Sequence, residues 1–183
     1  MMKAINLLVL VVCLSTSSLI AQEINWLSVE EAVALQKKEP RAIMMDVYTT
    51  WCGPCKMLDR NTFKNPDVIN YINANYYAVK FNAEGDETVI FKDKTFSNPN
   101  YDPAKAKRRN ASHEFSRFLR ISAFPTIVFL DDKANYIAGI KGYQGPQQIE
   151  LYLKLFNSED YKGMTQEGFN AYYEKFTPSF VEK

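Results

Sequence analysis

Apolar positions along this chain follow two patterns, one typical of strands and one typical of helices. Nearly continuous apolar stretches predict buried strands at residues 42–48, 76–81 and 126–130. A turn at 131–133 and a further strand at 135–140 predict a hairpin with the last of these. Apolar residues at helical spacing predict helices that begin near Ser28, Gly53, Asn65, Phe115 and Gly145.

The order of these elements predicts an α/β fold. Strands that alternate with helices in this way form a central mixed β-sheet, and the helices flank both of its faces. The first helix has a defined start, because Ser28 and Glu31 have the spacing of a capping box, and its pattern stops before Pro40.

Two segments depart from this alternation. Residues 83–113 predict an inserted loop segment, since they are polar and rich in turn-forming residues, and so long a connection is uncommon without a function. Within it, residues 105–109 carry four cations that either contact an acidic partner or belong to a hydrated loop. Residues 158–183 have aromatic side chains at helical spacing and predict a C-terminal amphipathic helical extension, packed onto the domain or docked to a partner.

Composition and charge limit the function classes. The chain has 183 residues, of which 46% are hydrophobic and 23% charged, so one domain with a sizeable core is expected and intrinsic disorder is excluded. The formal net charge is +1. Nucleic acid is not expected as a partner, because no general excess of positive charge is present to hold its phosphates.

Residues 1–21 have the pattern of a cleaved signal peptide. Lys3 is followed by an apolar run at 7–14 and by small residues that end at Ala21. The run is too short to span a bilayer, which needs about 20 apolar residues, so no stable membrane insertion is expected after cleavage. The expected location is therefore periplasmic or otherwise exported. Cleavage after Ser17, or a retained segment that forms a buried strand or an anchor, is the alternative.

Export leaves two cysteines, Cys52 and Cys55, because Cys13 lies in the signal segment. Cys52 is expected at the N-terminal end of a helix, where unpaired N–H groups stabilise a thiolate, and Cys55 one turn further on and less exposed. Such a pair can exchange a disulfide with another protein. A stapling disulfide would close too small a loop to stabilise the fold much. No metal site is expected, since zinc would lack ligands and the one histidine, His113, is predicted on a polar helix face.

The residues around these cysteines resemble the thioredoxin superfamily. The motif WCGPCK at 51–56 is similar to the thioredoxin active site, with Asp46 six positions before the first cysteine and Lys80 on the next strand. Residues 123–126, Ala-Phe-Pro-Thr, resemble the cis-proline loop of the family, and Gly142 falls where a glycine follows its hairpin. The resemblance implies a thioredoxin fold.

The resemblance extends over about residues 24–157, within a thioredoxin-like domain expected at 22–157. Arg60 stands where the family usually has proline, and Tyr48 stands where ordinary thioredoxins have tryptophan. Residues 61–68 resemble instead the branch that contains the C-terminal periplasmic domain of the membrane protein DsbD.

This resemblance implies a protein dithiol–disulfide oxidoreductase whose redox-active centre is the Cys52–Cys55 pair, with no other cofactor. Cys52 is the implied nucleophile and Cys55 the resolving thiol. Asp46 is the implied general base, since a carboxyl in a buried strand has a raised pKa, with a solvated aspartate at a strand end as the alternative. Lys80 either tunes Asp46 or extends to the surface.

Substrate contacts are implied for Trp51, Gly53, Pro54, Phe124 and Pro125. A cis peptide bond at Pro125 would open the loop to a substrate backbone, and an ordinary trans proline is the alternative. The Gly-Pro dipeptide between the cysteines resembles reducing members of the family, so reduction of disulfides in periplasmic proteins is expected, with a membrane thiol protein as electron donor. A disulfide oxidase or isomerase, or a binding or chaperone module of the same fold, is the alternative.

Overall fold

The computed structural model describes residues 23–182 of the chain. The strands are β1 (Trp26–Leu27), β2 (Ile43–Tyr48), β3 (Tyr77–Asn82), β4 (Val89–Phe91), β5 (Lys94–Phe96), β6 (Thr126–Leu130) and β7 (Tyr136–Lys141). Five of them form the central sheet in the spatial order β1-β3-β2-β6-β7, and β4 and β5 form a separate hairpin. The predicted signal peptide at 1–21 lies outside the described residues.

Among the α-helices of residues 23–182, all but one begin after a residue whose side chain caps them, and the exception begins after Gly145. Their bounds are α1 (Val29–Gln36), α2 (Gly53–Met57), α3 (Pro66–Asn75), α4 (Glu114–Phe118), α5 (Pro146–Asn157) and α6 (Gln166–Lys175). The capping box of Ser28 and Glu31 is present at the start of α1. The Asn65 side chain accepts hydrogen bonds from two backbone N–H groups at the start of α3, followed by a proline at the first helical position.

The central sheet is mixed. Strands β1, β3 and β2 are parallel neighbours, while β6 is antiparallel to β2 and β7 is antiparallel to β6. The predicted α/β fold, with a central mixed sheet flanked by helices on both faces, is confirmed. In the register of β2 and β3, Asp46 pairs with Lys80, so these two side chains lie on the same face of the sheet.

Alternate residues of the central strands supply a hydrophobic core on each face of the sheet. One core contains Met44 and Phe129, which pack with residues of α3 and α5. The other contains Met45 and Val128, which pack with Phe115 of α4. Because both faces are covered, the central strands are apolar almost throughout, and this explains why the sequence predicts them well.

Three features of the fold are absent from the sequence prediction. Strand β1 has two residues, too few for a period-2 pattern, and it exists through its pairing with Ala78 and Val79 of β3. The inserted segment contains the hairpin of β4 and β5, which turns at Lys92 and Asp93, both with positive φ. Helix α4 ends earlier than its apolar pattern, because Arg120 adopts a φ of 56°.

The C-terminal extension packs on the outside of α5. Phe169 of α6 stacks on Tyr152 with ring centroids 6.4 Å apart, and Tyr172 also packs against the core. After α6 the chain returns to the domain and buries Phe180. The helix that the aromatic spacing predicts is thus present and contacts the domain. Within residues 23–182, no helix combines the length and the apolar character needed to cross a membrane.

Candidate active site

Cys52 and Cys55 are joined by a disulfide at the N-terminal end of α2. Strand β2 ends at Tyr48, a short turn follows, and Cys52 is the residue that caps the helix. The backbone N–H of Cys55 donates to the sulfur of Cys52 at 3.1 Å. A helix N-terminus favours negative charge, so this contact is suited to a thiolate on Cys52 when the disulfide is open.

Both sulfur-bearing side chains are nearly enclosed in this oxidised form. Cys52 is 3% exposed and Cys55 is 2% exposed, so the expected difference in exposure between them is very small. Gly53 and Pro54, which lie between them, are exposed. Approach to the disulfide therefore runs along the groove that these two residues border.

Helix α2 changes character where the family proline is missing. A π-helical turn, Leu58–Thr62, continues the helix and contains Arg60, the residue that stands at the proline position. Leu58 and Thr62 are buried, whereas Asp59 faces the sheet and pairs with Lys80. Asp59 in this wider turn thus lies near Asp46 as a second carboxylate, since both pair with Lys80.

Asp46 is buried in the middle of β2. Its side chain is 1% exposed, so the predicted burial is confirmed, and the solvated alternative is wrong. Oδ2 lies 3.2 Å from Nζ of Lys80, while Oδ1 has no hydrogen-bond partner among residues 23–182. Burial raises the pKa of Asp46 to about 6, against the charge and hydrogen bond of Lys80, which lower it.

Lys80 pairs with two carboxylates rather than extending freely to the surface. Its ammonium contacts Asp46 and Asp59, and it lies 4.9 Å from the ring centre of Trp26 and 5.1 Å from that of Tyr48. Desolvation opposes the charge of Lys80, but the two carboxylates outweigh it and raise the pKa of this lysine. The aromatic rings add cation–π attraction, so the ammonium is held charged beside Asp46.

The loop before β6 lies beside the cysteine motif. The peptide bond between Phe124 and Pro125 is cis. The ring of Phe124 meets the ring of Trp51 edge to face at 6.1 Å. The carbonyl of Pro125 accepts a hydrogen bond from the N–H of Gly142 at 2.8 Å, and Gly142 has a φ of +85°, which favours glycine.

A groove of about 480 Å³ runs along the disulfide. The cysteine motif forms one side, the loop before β6 another, and the inserted segment the third. Its lining residues are Trp51, Cys52, Gly53, Pro54, Glu84, Arg109, Ser122, Ala123 and Phe124. The residues of these three sides come from separate stretches of the sequence, and the fold brings them together.

Sequence reasoning missed three charged residues near this site. Asp59 belongs to a pattern that predicts an ordinary helix, and nothing in that pattern marks its pairing with Lys80. Glu84 accepts hydrogen bonds from the indole N–H of Trp51 at 2.6 Å and from the N–H of Asn110 at 2.9 Å. Arg109 lies over the ring of Trp51 at 4.7 Å. The basic run at 105–109 was the one available signal for this last contact.

The prediction for His113 is wrong in its location. His113 is fully buried and caps α4, with Nδ1 accepting from the N–H of Phe115 at 3.0 Å and Nε2 2.7 Å from the carbonyl oxygen of Glu87. Both ring nitrogens are thereby occupied. Within residues 23–182, no group of three or more His, Cys, Asp or Glu side chains is arranged to hold a metal ion.

Comparison with known proteins places the chain in a family. Residues 27–157 match the family model of a thioredoxin-like domain. The thiol:disulfide interchange protein DsbD of Pectobacterium atrosepticum is 27% identical over 122 residues, which are 66% of this chain and 17% of that protein. The matched region is thus a small part of that longer relative.

Solved structures share the fold. A thioredoxin-fold protein from Helicobacter pylori has a TM-score of 0.56 at 14% identity, covering 79% of this chain and 96% of that chain. A thioredoxin from Thermus thermophilus has a TM-score of 0.53 at 18% identity, covering 72% and 85%. Since the family model spans most of the chain and includes both cysteines, this chain belongs to the thioredoxin-like family.

Proposed function

We propose that this protein is exported and reduces disulfide bonds in other exported proteins. The observation that carries the proposal is the Cys52–Cys55 disulfide at a helix N-terminus, on the strand–helix unit that also buries Asp46. The Gly-Pro dipeptide between the cysteines is similar to that of reducing family members. The relative named a thiol:disulfide interchange protein supports the same class of reaction.

The proposed reaction transfers two electrons from the reduced cysteine pair to a substrate disulfide. The Cys52 thiolate attacks one substrate sulfur, forming a mixed disulfide and releasing the first substrate thiolate. The Cys55 thiolate then attacks the sulfur of Cys52 and releases the second. The substrate gains two thiols, the protein gains the Cys52–Cys55 disulfide, and the two protons lost by Cys52 and Cys55 balance those taken up by the substrate.

Asp46 is the proposed proton acceptor for the second step. A carboxyl with a pKa of about 6 is largely ionised at neutral pH and yet basic enough to take the proton of a thiol during attack. Its Oδ1 atom makes no hydrogen bond within the described residues, so this oxygen is available to a proton. Lys80 is the proposed tuning residue, because it holds a positive charge against Oδ2.

Substrate binding is proposed along the groove beside the disulfide. Trp51, Gly53 and Pro54 would contact the residues on one side of the substrate cysteine, and Phe124 and Pro125 those on the other. An extended substrate segment could add its backbone to the edge of this loop, as peptides add to exposed strands elsewhere.

The redox potential tests the direction of electron transfer. Equilibration of the full chain with glutathione buffers should give a potential closer to about −270 mV, the value of thioredoxin, than to about −120 mV, the value of a strong oxidant. A value near the second figure would contradict reduction and favour an oxidase.

Covalent capture tests the proposed nucleophile and supplies the substrates. The Cys55→Ala variant should retain mixed disulfides through Cys52, and mass spectrometry of the captured proteins would identify them. The Cys52→Ala variant, which keeps Cys55, is the matched control and should capture few. Equal capture by both variants would contradict the assignment of Cys52.

Export and the electron donor are separate parts of the proposal. Residues 1–21 are proposed to direct export, and a membrane thiol protein is proposed to reduce the Cys52–Cys55 disulfide, since an oxidising compartment offers no thiol buffer of its own. N-terminal sequencing of the protein from its native host should begin at Gln22, or at Ser18 for the alternative cleavage site. An intact Met1 on the whole population would contradict export by cleavage.

A further inference from the structure

Part of the inserted segment is fixed beside the active site. Thr50 donates its hydroxyl hydrogen to the carbonyl of Ala106 at 2.7 Å. The carboxylate of Glu84 accepts from the indole of Trp51 and from the backbone of Asn110 through the same oxygen. These contacts attach residues 102–110, the basic loop, to the two residues that directly precede Cys52.

The basic loop is also closed on itself. The N–H of Asp102 donates to the side-chain oxygen of Asn110 at 3.0 Å, and the side-chain NH₂ of Asn110 donates to the carbonyl of Asp102 at 2.8 Å. A 3₁₀ turn, Pro103–Lys105, shapes the stretch between them. Its position is therefore determined by hydrogen bonds at both ends and in the middle, which is more than a hydrated connection needs.

The basic loop concentrates positive charge in a nearly neutral protein. Four of its five consecutive residues from Lys105 to Arg109 are cationic and exposed, whereas the whole chain has a net charge of +1. Lys105 pairs with Asp102 at 3.1 Å. Within residues 23–182, Lys107, Arg108 and Arg109 form no ion pair, so three charges are available to a partner.

Arg109 carries this charge into the groove. Its guanidinium lies 4.7 Å from the ring centre of Trp51, and it lines the groove together with Cys52. The acidic side chain in the same lining is Glu84, and one of its oxygens already accepts two hydrogen bonds from the protein. A substrate residue that enters on this side therefore meets Arg109 at the wall and further cations beyond it.

We propose that the basic loop selects substrate proteins that carry Asp or Glu next to the disulfide to be reduced. This inference rests on the proposed function, of which it names the substrate class. Opposite charges raise the rate of encounter and hold the partner in one orientation, and both effects weaken as salt screens them. The sulfur chemistry at Cys52 and Cys55 is the same for every substrate, so the selection acts on binding.

Two matched disulfide peptides test the proposal with the full chain. Both have the same pair of cysteines, flanked in one peptide by Asp and Glu and in the other by Lys. The reduced protein is mixed with each peptide, and the rate of thiol release is measured at about 20 mM and about 300 mM ionic strength. The acidic peptide should react about tenfold faster at low salt, and the difference should shrink several-fold at high salt, where the Debye length is shorter.

Charge-removing variants locate the effect. K107S/R108S alters two exposed cations of the basic loop outside the groove lining and should lower the rate for the acidic peptide about fivefold at low salt, as expected for two exposed ion pairs. The matched control K37S/K38S removes two exposed cations at the end of α1 and should leave the preference unchanged. R109S should lower the preference further, because it removes the cation that lines the groove.

The possible results separate this inference from the proposed function. Equal rates for the two peptides, or equal effects of K107S/R108S and K37S/K38S, would overturn the selection of acidic substrates while leaving the reductase proposal intact. Reduction of neither peptide by the reduced protein would overturn both. Faster reaction of the Lys-flanked peptide would show that Glu84, and not the basic loop, determines the charge of the groove.

Discussion

Nζ of Lys80 lies 3.2 Å from Oδ2 of Asp46, on the neighbouring parallel strand. The same ammonium pairs with Asp59, so one cation is shared between a buried carboxylate and a partly exposed one. The pKa of Asp46 is consequently set by opposing effects of burial and of the two neighbouring charges. Burial raises it most, the charge and hydrogen bond of Lys80 lower it, and the negative charge of Asp59 raises it again.

The first prediction concerns the free energy of unfolding of Asp46→Asn. The pKa of Asp46 rises from 3.8 to about 6 on folding, so the folded protein binds this proton more tightly than the unfolded chain does. The wild-type protein therefore loses stability as the pH rises from about 4 to about 6. Asp46→Asn should be more stable by about 1–3 kcal/mol at pH 7.5, with no gain near pH 4.

Urea denaturation of both oxidised proteins at the two pH values measures this difference. Asp59→Asn serves as the control, because Asp59 is 42% exposed and its removal should change stability little. If Asp46→Asn is instead less stable than the wild-type protein at pH 7.5, the ionised carboxylate stabilises the fold even though its Oδ1 has no hydrogen-bond partner among residues 23–182, and the prediction is wrong.

The second prediction concerns the pH dependence of resolution by Cys55. If Asp46 accepts the thiol proton, the rate at which Cys55 opens a mixed disulfide on Cys52 follows the ionisation of Asp46. Lys80→Met should move the midpoint of this profile to higher pH, because the lysine lowers the pKa of Asp46. Asp59→Asn should move it to lower pH, because the Asp59 charge raises that pKa.

Stopped-flow release of a chromogenic thiol from the mixed disulfide gives this profile. Lys64→Met is a matched control, since Lys64 pairs with Glu23 on the surface at 2.5 Å and its loss should leave the midpoint unchanged. Shifts of the two test variants in the same direction would argue against Asp46 as the group that titrates.

Burial on both sides of the sheet made the central fold predictable from the sequence. Strands β2 and β6 are apolar except for Asp46 and Thr126, and the resemblance of the cysteine motif indicated how the strands connect. The short edge strand β1 could not be predicted in this way, because Trp26 and Leu27 are held by the backbone of β3 rather than by a pattern of their own.

The parts of the candidate site that could be predicted are those whose residues are close in sequence or face each other on paired strands. Asp46 and Lys80 face each other because their strands are paired in register, and the two cysteines are one helical turn apart. The contact of Trp51 with Glu84 joins residues 33 positions apart through a loop. Side-chain contacts of this kind depend on where the inserted segment lies, which composition and periodicity do not specify.

The third prediction concerns the backbone at Gly142. Its φ of +85° favours glycine, and no atom lies within 4 Å of the position that a Cβ would occupy. Gly142→Ala should therefore lower the free energy of unfolding by about 1–2 kcal/mol through backbone strain alone. Gly53→Ala is the control, because its Cβ would also meet open space and its φ is not positive. Equal thermal stability of the two variants would contradict the conformational cost.

The fourth prediction concerns the attachment of the C-terminal segment by Glu150. This fully buried carboxylate accepts hydrogen bonds from the N–H groups of Ser179 and Phe180 and pairs with Lys154 at 2.6 Å. Burial opposes its charge, but these hydrogen bonds prevail and hold the pKa of Glu150 below its ordinary value. The resulting stability is present above pH 4.5 and is lost as the pH falls below it.

Glu150→Gln replaces one accepting oxygen with a donor that faces the N–H groups of the C-terminal segment. It should lower the free energy of unfolding by about 2–4 kcal/mol at pH 7, and the difference should narrow below pH 4, where the wild-type carboxyl is protonated too. Amide hydrogen exchange should become faster at Ser179 and Phe180 before the rest of the protein opens. Glu167→Gln, at an exposed position of α6, should change the free energy of unfolding by less than about 0.5 kcal/mol and should leave the exchange at Ser179 and Phe180 unchanged. Unchanged exchange at Ser179 and Phe180 in Glu150→Gln would mean that Phe180, through its buried ring, holds the segment without the carboxylate.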